Sequence, residues 1–187
     1  MKVTKTILAA VAGLTLLGGV AGMACGGSSS AAGAGPEGSG DAQLVSVTDT
    51  ATHLSFHYPS TWTRTGESPL TYSGQDEFVS EEARPVPAGD VLAAAKADEA
   101  AVKAANPGYK SIATIAASTE VKNAAVVSYE WDLAKSAVTG KPVHQRADRY
   151  YINLGNGQMA ILTGSSPSTR FDREQVRDIA LTVQAAK

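Results

Sequence analysis

Residues 127–133, VSYEWDL, decide the fold, because a large apolar residue alternates with a polar one through all seven positions. Successive side chains of a β-strand point to opposite faces of the sheet, so this pattern predicts a half-buried strand with an acidic outer face. Residues 144–154 resume the alternation, and the Gly-Asn-Gly sequence at 155–157 predicts a tight turn into a third strand at 158–163. We expect these three strands to form an antiparallel meander.

The first half of the chain predicts shorter strands. Residues 53–59, HLSFHYP, alternate strictly and end at a proline, and residues 44–48 predict a strand before them. Residues 70–72 and 77–80 flank a polar Ser-Gly-Gln-Asp segment that is typical of a hairpin turn. The polar residues 81–87 include two prolines, and we expect them to form a loop or a sheet edge.

Two helices complete the predicted fold. Asp90 is placed as the N-cap of a helix over residues 91–105, which Asn-Pro-Gly at 106–108 ends. Asp172, with Gln175 three residues later, has the spacing of a capping box for a C-terminal helix. The apolar stripe of that helix is formed by Val176, Ile179 and Val183. The fold class is therefore α+β, a central antiparallel β-sheet with helices packed on it.

The N-terminal residues predict export. Residues 1–24 contain a short basic start, a 14-residue apolar run and a small-residue end, which is the order of an export signal peptide and too short for a spanning helix. Residues 25–41 are almost entirely Gly, Ser and Ala, and we expect a flexible linker there. Residues 42–187 have the length of one domain.

Cys25, the only cysteine of the chain, follows the residues AGMA at 21–24. This segment resembles the lipobox of bacterial lipoprotein signal peptides, although Gly22 stands where such boxes usually carry Leu. The resemblance implies that Cys25 carries a thioether-linked lipid with palmitate-type chains, and that the protein is anchored to the extracytoplasmic face of the cell membrane. The alternative is an ordinary cleavage site beside an incidental cysteine.

Net charge argues against nucleic acid as a partner. The chain carries 16 basic and 18 acidic residues, a net charge of −2, and loss of Lys2 and Lys5 with the signal would leave −4. A mildly acidic domain lacks the basic surface that nucleic acids and anionic lipids require.

The motif FHYPSTW at residues 56–62 is followed by a hairpin, a helix, a meander and a C-terminal helix introduced by Phe171. This order, over residues 44–184, resembles the PsbP-like domain, the fold of the photosystem II extrinsic protein and of many small bacterial envelope lipoproteins. The resemblance implies an α/β/α sandwich and a non-enzymatic role in which the protein binds or stabilises an envelope protein or complex. No metal or cofactor site is carried over.

Charged residues on neighbouring predicted strands are the candidate interaction face. They form either solvated cross-strand ion pairs or a recognition surface on the open side of the sheet. Residues 150 and 151 are both tyrosine and point to opposite faces, so we expect one of them to be exposed. The candidate face consists of Glu130, Asp132, Arg146, Asp148 and Tyr151.

Catalytic and metal-binding patterns are weak in this sequence. His53 and His57, four apart in a predicted strand, and His144 have no acidic or cysteine ligand at a useful spacing. Serines are plentiful, but none lies in a Gly-x-Ser-x-Gly elbow. We therefore expect no catalytic residues, no metal and no cofactor. Two alternatives to a binding module stay open: a small-molecule carrier or sensor that uses a groove between sheet and helices, and an unrecognised hydrolase.

Overall fold

The structure is a computed structural model that describes residues 43–75, 77–86, 90–135 and 139–186. The predicted signal peptide 1–24 and the linker 25–41, including Cys25, lie outside the described residues. The helices are α1 Val91–Ala105 and α2 Arg173–Leu181. The strands are β1 Leu44–Asp49, β2 Leu54–Pro59, β3 Thr63–Glu67, β4 Leu70–Ser73, β5 Phe78–Pro85, β6 Lys110–Ala117, β7 Ala124–Lys135, β8 Pro142–Asn153, β9 Gln158–Pro167 and β10 Gln184–Ala185.

Seven strands form the main sheet, in the order β3-β4-β5-β9-β8-β7-β6, and every pairing is antiparallel. The small second sheet has the order β1-β2-β10. The predicted meander of β7, β8 and β9 is confirmed, and Gly155 and Gly157 in its tight turn have φ angles of 78° and 82°. These left-handed conformations explain why the turn requires glycine.

The prediction of a loop or edge at residues 81–87 is wrong about a loop for residues 81–85, which belong to β5. In the described chain Glu81 pairs with both β4 and β9, whereas residues 82–85 pair with β9 alone, as an edge does. The polar side chains of this segment have specific positions in the fold. Glu81 is completely buried, and Glu82 and Arg84 bond to each other. The short strand β3 was not predicted.

Both faces of the central strands are buried, because alternate residues belong to two different cores. On one face, α1 packs over a core whose members from the sheet are Ala125, Val127, Tyr129, Trp131, Ala147, Tyr151, Met159 and Ile161. On the other face, α2 and the small sheet pack over a core that includes Leu54, Phe56, Tyr72, Val79, Tyr150, Ile152, Leu162, Val176 and Ile179. The sheet is therefore the middle layer of the domain.

The predicted helices and their N-caps are confirmed. Asp90 accepts hydrogen bonds from the backbone N–H groups of Leu92 and Ala93, at 2.9 and 3.0 Å. Asp172 does the same for Glu174 and Gln175, at 2.9 and 3.1 Å. These side chains replace hydrogen bonds that the first turn of a helix cannot make internally. With ten described strands and two described helices, the α+β fold is richer in β-structure than the sequence suggested.

Among the described residues, no helix is long and apolar enough to cross a membrane.

Gly164 in β9 sets how closely α2 approaches the sheet. A Cβ atom at this position would come within 2.6 Å of both γ-methyl groups of Val176, which is closer than carbon atoms can pack. Glycine is required here for space, since only hydrogen allows α2 to lie this close to the strand.

We predict that Gly164→Ala destabilises the domain by about 1–3 kcal/mol, because the added methyl group pushes α2 away from its core. Urea unfolding of the purified chain measures this loss. The double variant Gly164→Ala/Val176→Ala should recover part of it, since the colliding methyl groups are removed. Strictly additive losses in the two single variants would contradict the contact as the cause.

Candidate functional site

The structure divides the predicted interaction face between the two sides of the sheet. In the register of β7 and β8, Glu130 lies opposite Arg146 and Ser128 lies opposite Asp148. Tyr151 points to the other side and belongs to the core under α1. The prediction that one of the neighbouring tyrosines is exposed is wrong, because Tyr150 and Tyr151 are 1% and 0% exposed. Covering both faces of β8 buries both rings.

Asp148 is also inaccessible and does not belong to an interaction face. It is 0% exposed and lies opposite Gly164, the position against which α2 packs. Nε of Arg173, the first residue of α2, lies 3.0 Å from Oδ2 of Asp148. Burial raises the pKa of Tyr150 to about 12, and the nearby charge of Asp148 adds to this effect. Asp148 therefore ties the start of α2 to the sheet.

The accessible remainder of the predicted face is a group of side chains beside the N-terminus of α2, which we call the corner patch. Its members are Glu130, Asp132, His144, Arg146 and Phe171. Oδ1 of Asp132 lies 2.6 Å from Nδ1 of His144, and these side chains are 41% and 67% exposed. The Arg146 guanidinium lies 5.1 Å from the centroid of the Phe171 ring. The cation therefore stacks on an aromatic face.

Arg146 gives the corner patch its binding capacity. Among the described residues it has no ion-pair partner, and its Nε has no hydrogen-bond acceptor. A guanidinium held on an aromatic ring presents several N–H donors in a fixed plane, which suits a carboxylate or a peptide carbonyl. Positively charged, negatively charged and aromatic side chains that lie together in one accessible patch are typical of protein interfaces.

A second polar cluster, which the sequence did not predict, lies between α1 and the sheet. We call it the Arg149 network, and its members are Glu82, Arg84, Asp98, Arg149, Tyr151 and Thr163. Arg149 donates to the Thr163 hydroxyl at 2.8 Å, to the Tyr151 oxygen at 3.0 Å and to both carboxylates. The Tyr151 hydroxyl donates to Oδ2 of Asp98 at 2.9 Å, and Arg84 donates to Oδ1 at 3.0 Å.

The charges of the Arg149 network balance, since it contains two cations, Arg84 and Arg149, and two carboxylates, Glu82 and Asp98. Burial alone would raise the pKa of Asp98, but the hydrogen bond from Tyr151 and the charge of Arg149 outweigh it and lower that pKa. Burial likewise opposes the charge on Arg149, yet Tyr151 and Glu82 raise its pKa. Asp98 stays ionised and joins α1 to β5 and β8. This arrangement stabilises the helix–sheet packing and leaves few donors for a ligand.

Two cavities border α2. The first, between its N-terminal half and β5 and β9, has about 10 Å³ of space for solvent, which is at the lower limit for one water molecule. The second is a groove of about 300 Å³ between the C-terminal end of α2 and the ends of the sheet. Its floor includes Val121, Ile152 and Val183, and Lys122 and Gln184 lie at its rim. This volume is at the lower end of the range for small-molecule sites.

The histidines do not converge. His53 lies in the turn before β2 with a φ angle of 55°, so the prediction that it shares a strand with His57 is wrong. In the described part of the chain, no group of three His, Cys, Asp or Glu residues could hold a metal ion. Among the described residues, no serine hydroxyl is hydrogen-bonded to the Asp132–His144 pair.

An antiparallel sheet with a helix on each face makes this an α+β fold. No protein-family model matches the chain, and no curated protein matches it. Similar solved structures include cyanobacterial PsbP (CyanoP) from Synechocystis sp. PCC 6803, at 18% identity and a TM-score of 0.46, over 81% of this chain and 99% of that one. The α+β arrangement that the sequence predicts, an antiparallel sheet with helices packed on it, is confirmed, and the likeness to cyanobacterial PsbP concerns the fold alone.

Two further structures share this likeness. The Ran-binding protein Mog1p of Saccharomyces cerevisiae is 9% identical with a TM-score of 0.47, over 75% of this chain and 89% of that one. A protein from Bacteroides thetaiotaomicron is 9% identical with a TM-score of 0.49, over 76% of this chain. The chain spans 48% of the Bacteroides protein, and identities this low concern the fold alone.

We predict that Arg149→Met destabilises the domain by about 3 kcal/mol, the lower end of the range for breaking a buried ion pair, because two carboxylates lose one of their two cations and Arg84 remains. Arg64→Met is the matched control, since the Arg64 side chain is 51% exposed and that of Arg149 is 14% exposed. The control should change stability by no more than about 0.5 kcal/mol in urea unfolding. Equal effects of the two substitutions would show that the network does not hold α1.

Proposed function

We propose that this protein is a non-catalytic, membrane-tethered binding module of the cell envelope, and that it binds a protein partner through the corner patch. The observation that carries the proposal is the accessible Arg146–Phe171 stack beside Glu130 and the Asp132–His144 pair. These groups lie on one corner of a rigid sheet, so they are held in place before a partner arrives. Preorganised side chains reduce the entropy lost on binding.

The distribution of the other polar groups supports a binding role. The Arg149 network uses its charges internally, and Asp148 pairs with Arg173. The corner patch differs from the Arg149 network and from the Asp148–Arg173 pair, since Arg146 has no ion-pair partner among the described side chains. Three other members of the patch, Glu130, Asp132 and His144, are charged or titratable. A patch with donors, acceptors and one ring fits a peptide segment that carries a carboxylate.

A small-molecule carrier or sensor is the second candidate function, and the groove of about 300 Å³ beside the end of α2 favours it. Its apolar floor and single basic residue, Lys122, would suit a small amphiphile with an anionic group. Leu154 also lines this groove. Saturable binding of such a ligand, lost on Leu154→Glu but kept in the corner-patch variant below, would support this candidate over the first.

The corner patch is tested by affinity purification from the native membrane after chemical cross-linking. We expect Glu130→Lys/Arg146→Glu to lose a cross-linked partner that the natural chain retains, because the charges that meet the partner are exchanged. Lys96→Glu/Glu99→Lys is the matched control, since it also leaves the net charge unchanged and both residues lie on α1, on the opposite side of the sheet. A partner retained equally by all three chains contradicts the proposal.

The membrane tether is tested separately by Cys25→Ala. We expect the natural chain to fractionate with membranes and the variant to fractionate as soluble or uncleaved protein, because the thiol that accepts the lipid is lost. Metabolic labelling with an alkyne fatty acid should mark the natural chain alone. Identical fractionation and no label in either chain would overturn the tether but leave the corner patch testable in solution.

A further inference from the structure

Glu81 lies in the middle of β5, and none of its surface is exposed. Its cross-strand neighbours are Leu70 in β4 and Leu162 in β9, which are both buried and carry no charge. Neither carboxyl oxygen has a hydrogen-bond partner that meets normal geometry among the described residues. An ionised carboxylate is strongly disfavoured in such surroundings. The neutral acid is therefore the form that fits the closed structure.

A second carboxylate, that of Asp49 beside the β1–β2 turn, acts on Glu81 through its charge. Asp49 ends β1, and its two oxygens accept hydrogen bonds from the Ala51 N–H and the Thr52 hydroxyl, each at 2.9 Å. These bonds hold the Asp49 side chain within its own turn. The charged groups that act on Glu81 in the described chain are Asp49 from β1 and Glu82 from its own strand, and both are acidic.

These surroundings favour a proton on Glu81. Burial raises the pKa of Glu81 to about 7, and the charges of Asp49 and Glu82 add to that effect, whereas the Thr52 hydroxyl opposes it. Glu82 is itself occupied by Arg84 and Arg149 on the other face of the sheet. The unfavourable contact of an ionised Glu81 is therefore with the β1–β2 turn.

We propose that Glu81 is a proton-operated latch for the β1–β2 turn. The neutral carboxyl group lets the turn close over β5, so that Val47, Leu54 and Phe56 remain packed on the main sheet. Ionisation places an uncompensated charge on the completely buried Glu81 while the Asp49 carboxylate acts on it from the end of β1, and it favours opening of the turn. We expect the small sheet to be the part that moves, since the Asp49 charge that acts on Glu81 comes from the end of β1.

The direction of the pH effect follows from the raised pKa. An acid whose pKa is higher in the folded than in the unfolded chain contributes stability that is complete below its ordinary pKa and declines as pH rises. For Glu81 the decline extends from about pH 4.5 to about pH 7. Across that interval the folding equilibrium constant falls by up to roughly tenfold per pH unit.

The latch is tested directly by carbon-13 NMR of the glutamate carboxyl groups in the full chain, purified in mild detergent. Glu81→Gln assigns the Glu81 signal by its absence. We expect that signal to titrate near pH 7 in the natural chain, and amide hydrogen exchange in β1 and β2 to accelerate above that pH beyond the general effect of base. A Glu81 signal that titrates near pH 4.5 overturns the latch.

Urea unfolding between pH 5 and pH 8 provides the second measurement. The natural chain should lose stability with rising pH relative to Glu81→Gln, because the amide does not ionise. Glu67→Gln is the matched control, since that carboxylate is 86% exposed on β3 and should keep the natural pH profile. If Glu81→Gln fails to fold, Asp49→Asn should shift the titration of Glu81 to lower pH. Identical profiles in all chains contradict the proposal.

Discussion

Burial of the central strands on both faces is the constraint on which the rest of this structure depends. Strand β8 places Tyr150 in the core under α2 and Tyr151 in the core under α1, and neither ring reaches solvent. The middle of such a strand hides its side chains, including charged ones such as Asp148, whereas His144 near the start of β8 remains exposed. The buried polar residues of β5, β8 and β9 therefore require partners within the fold, since water is not available to them.

The chain meets this requirement in three ways. Arg149 is surrounded by acceptors from α1, β5 and β9, so its charge is compensated and binds the helix to the sheet. Asp148 has Arg173, which reaches it from the exposed first turn of α2. Glu81 has no cation among the described residues, and a proton serves instead. The same architectural cause thus produces two stabilising clusters and one titratable site.

Local signals in the sequence were sufficient to predict most elements of the fold. Several predictions rest on residues that are close together in sequence, and all of them are confirmed. They are the strand at 127–133, the Gly-Asn-Gly turn and the helix N-caps Asp90 and Asp172. A loop was one prediction for residues 81–85 because their side chains are polar, and only the distant partners of β5 show that they form a strand in which Glu81 is buried. The Arg149 network is missed for the same reason, since Asp98 and Arg149 are 51 residues apart in sequence. Three of the five residues of the predicted interaction face, Glu130, Asp132 and Arg146, stay accessible, and Asp148 and Tyr151 do not. Periodicity shows which residues share a face but not whether a helix covers it.

The edges of the main sheet are irregular. β6, which carries the exposed Ile112, shifts its register against β7 between Ser111 and Ala113 and again before Ala116, and β3 shifts between Arg64 and Gly66. A regular edge would offer a row of evenly spaced backbone donors and acceptors to any other extended chain. Bulges disturb that spacing and increase the local twist. When many copies of a sheet-rich domain are crowded together, such irregularity disfavours edge-to-edge pairing into aggregates.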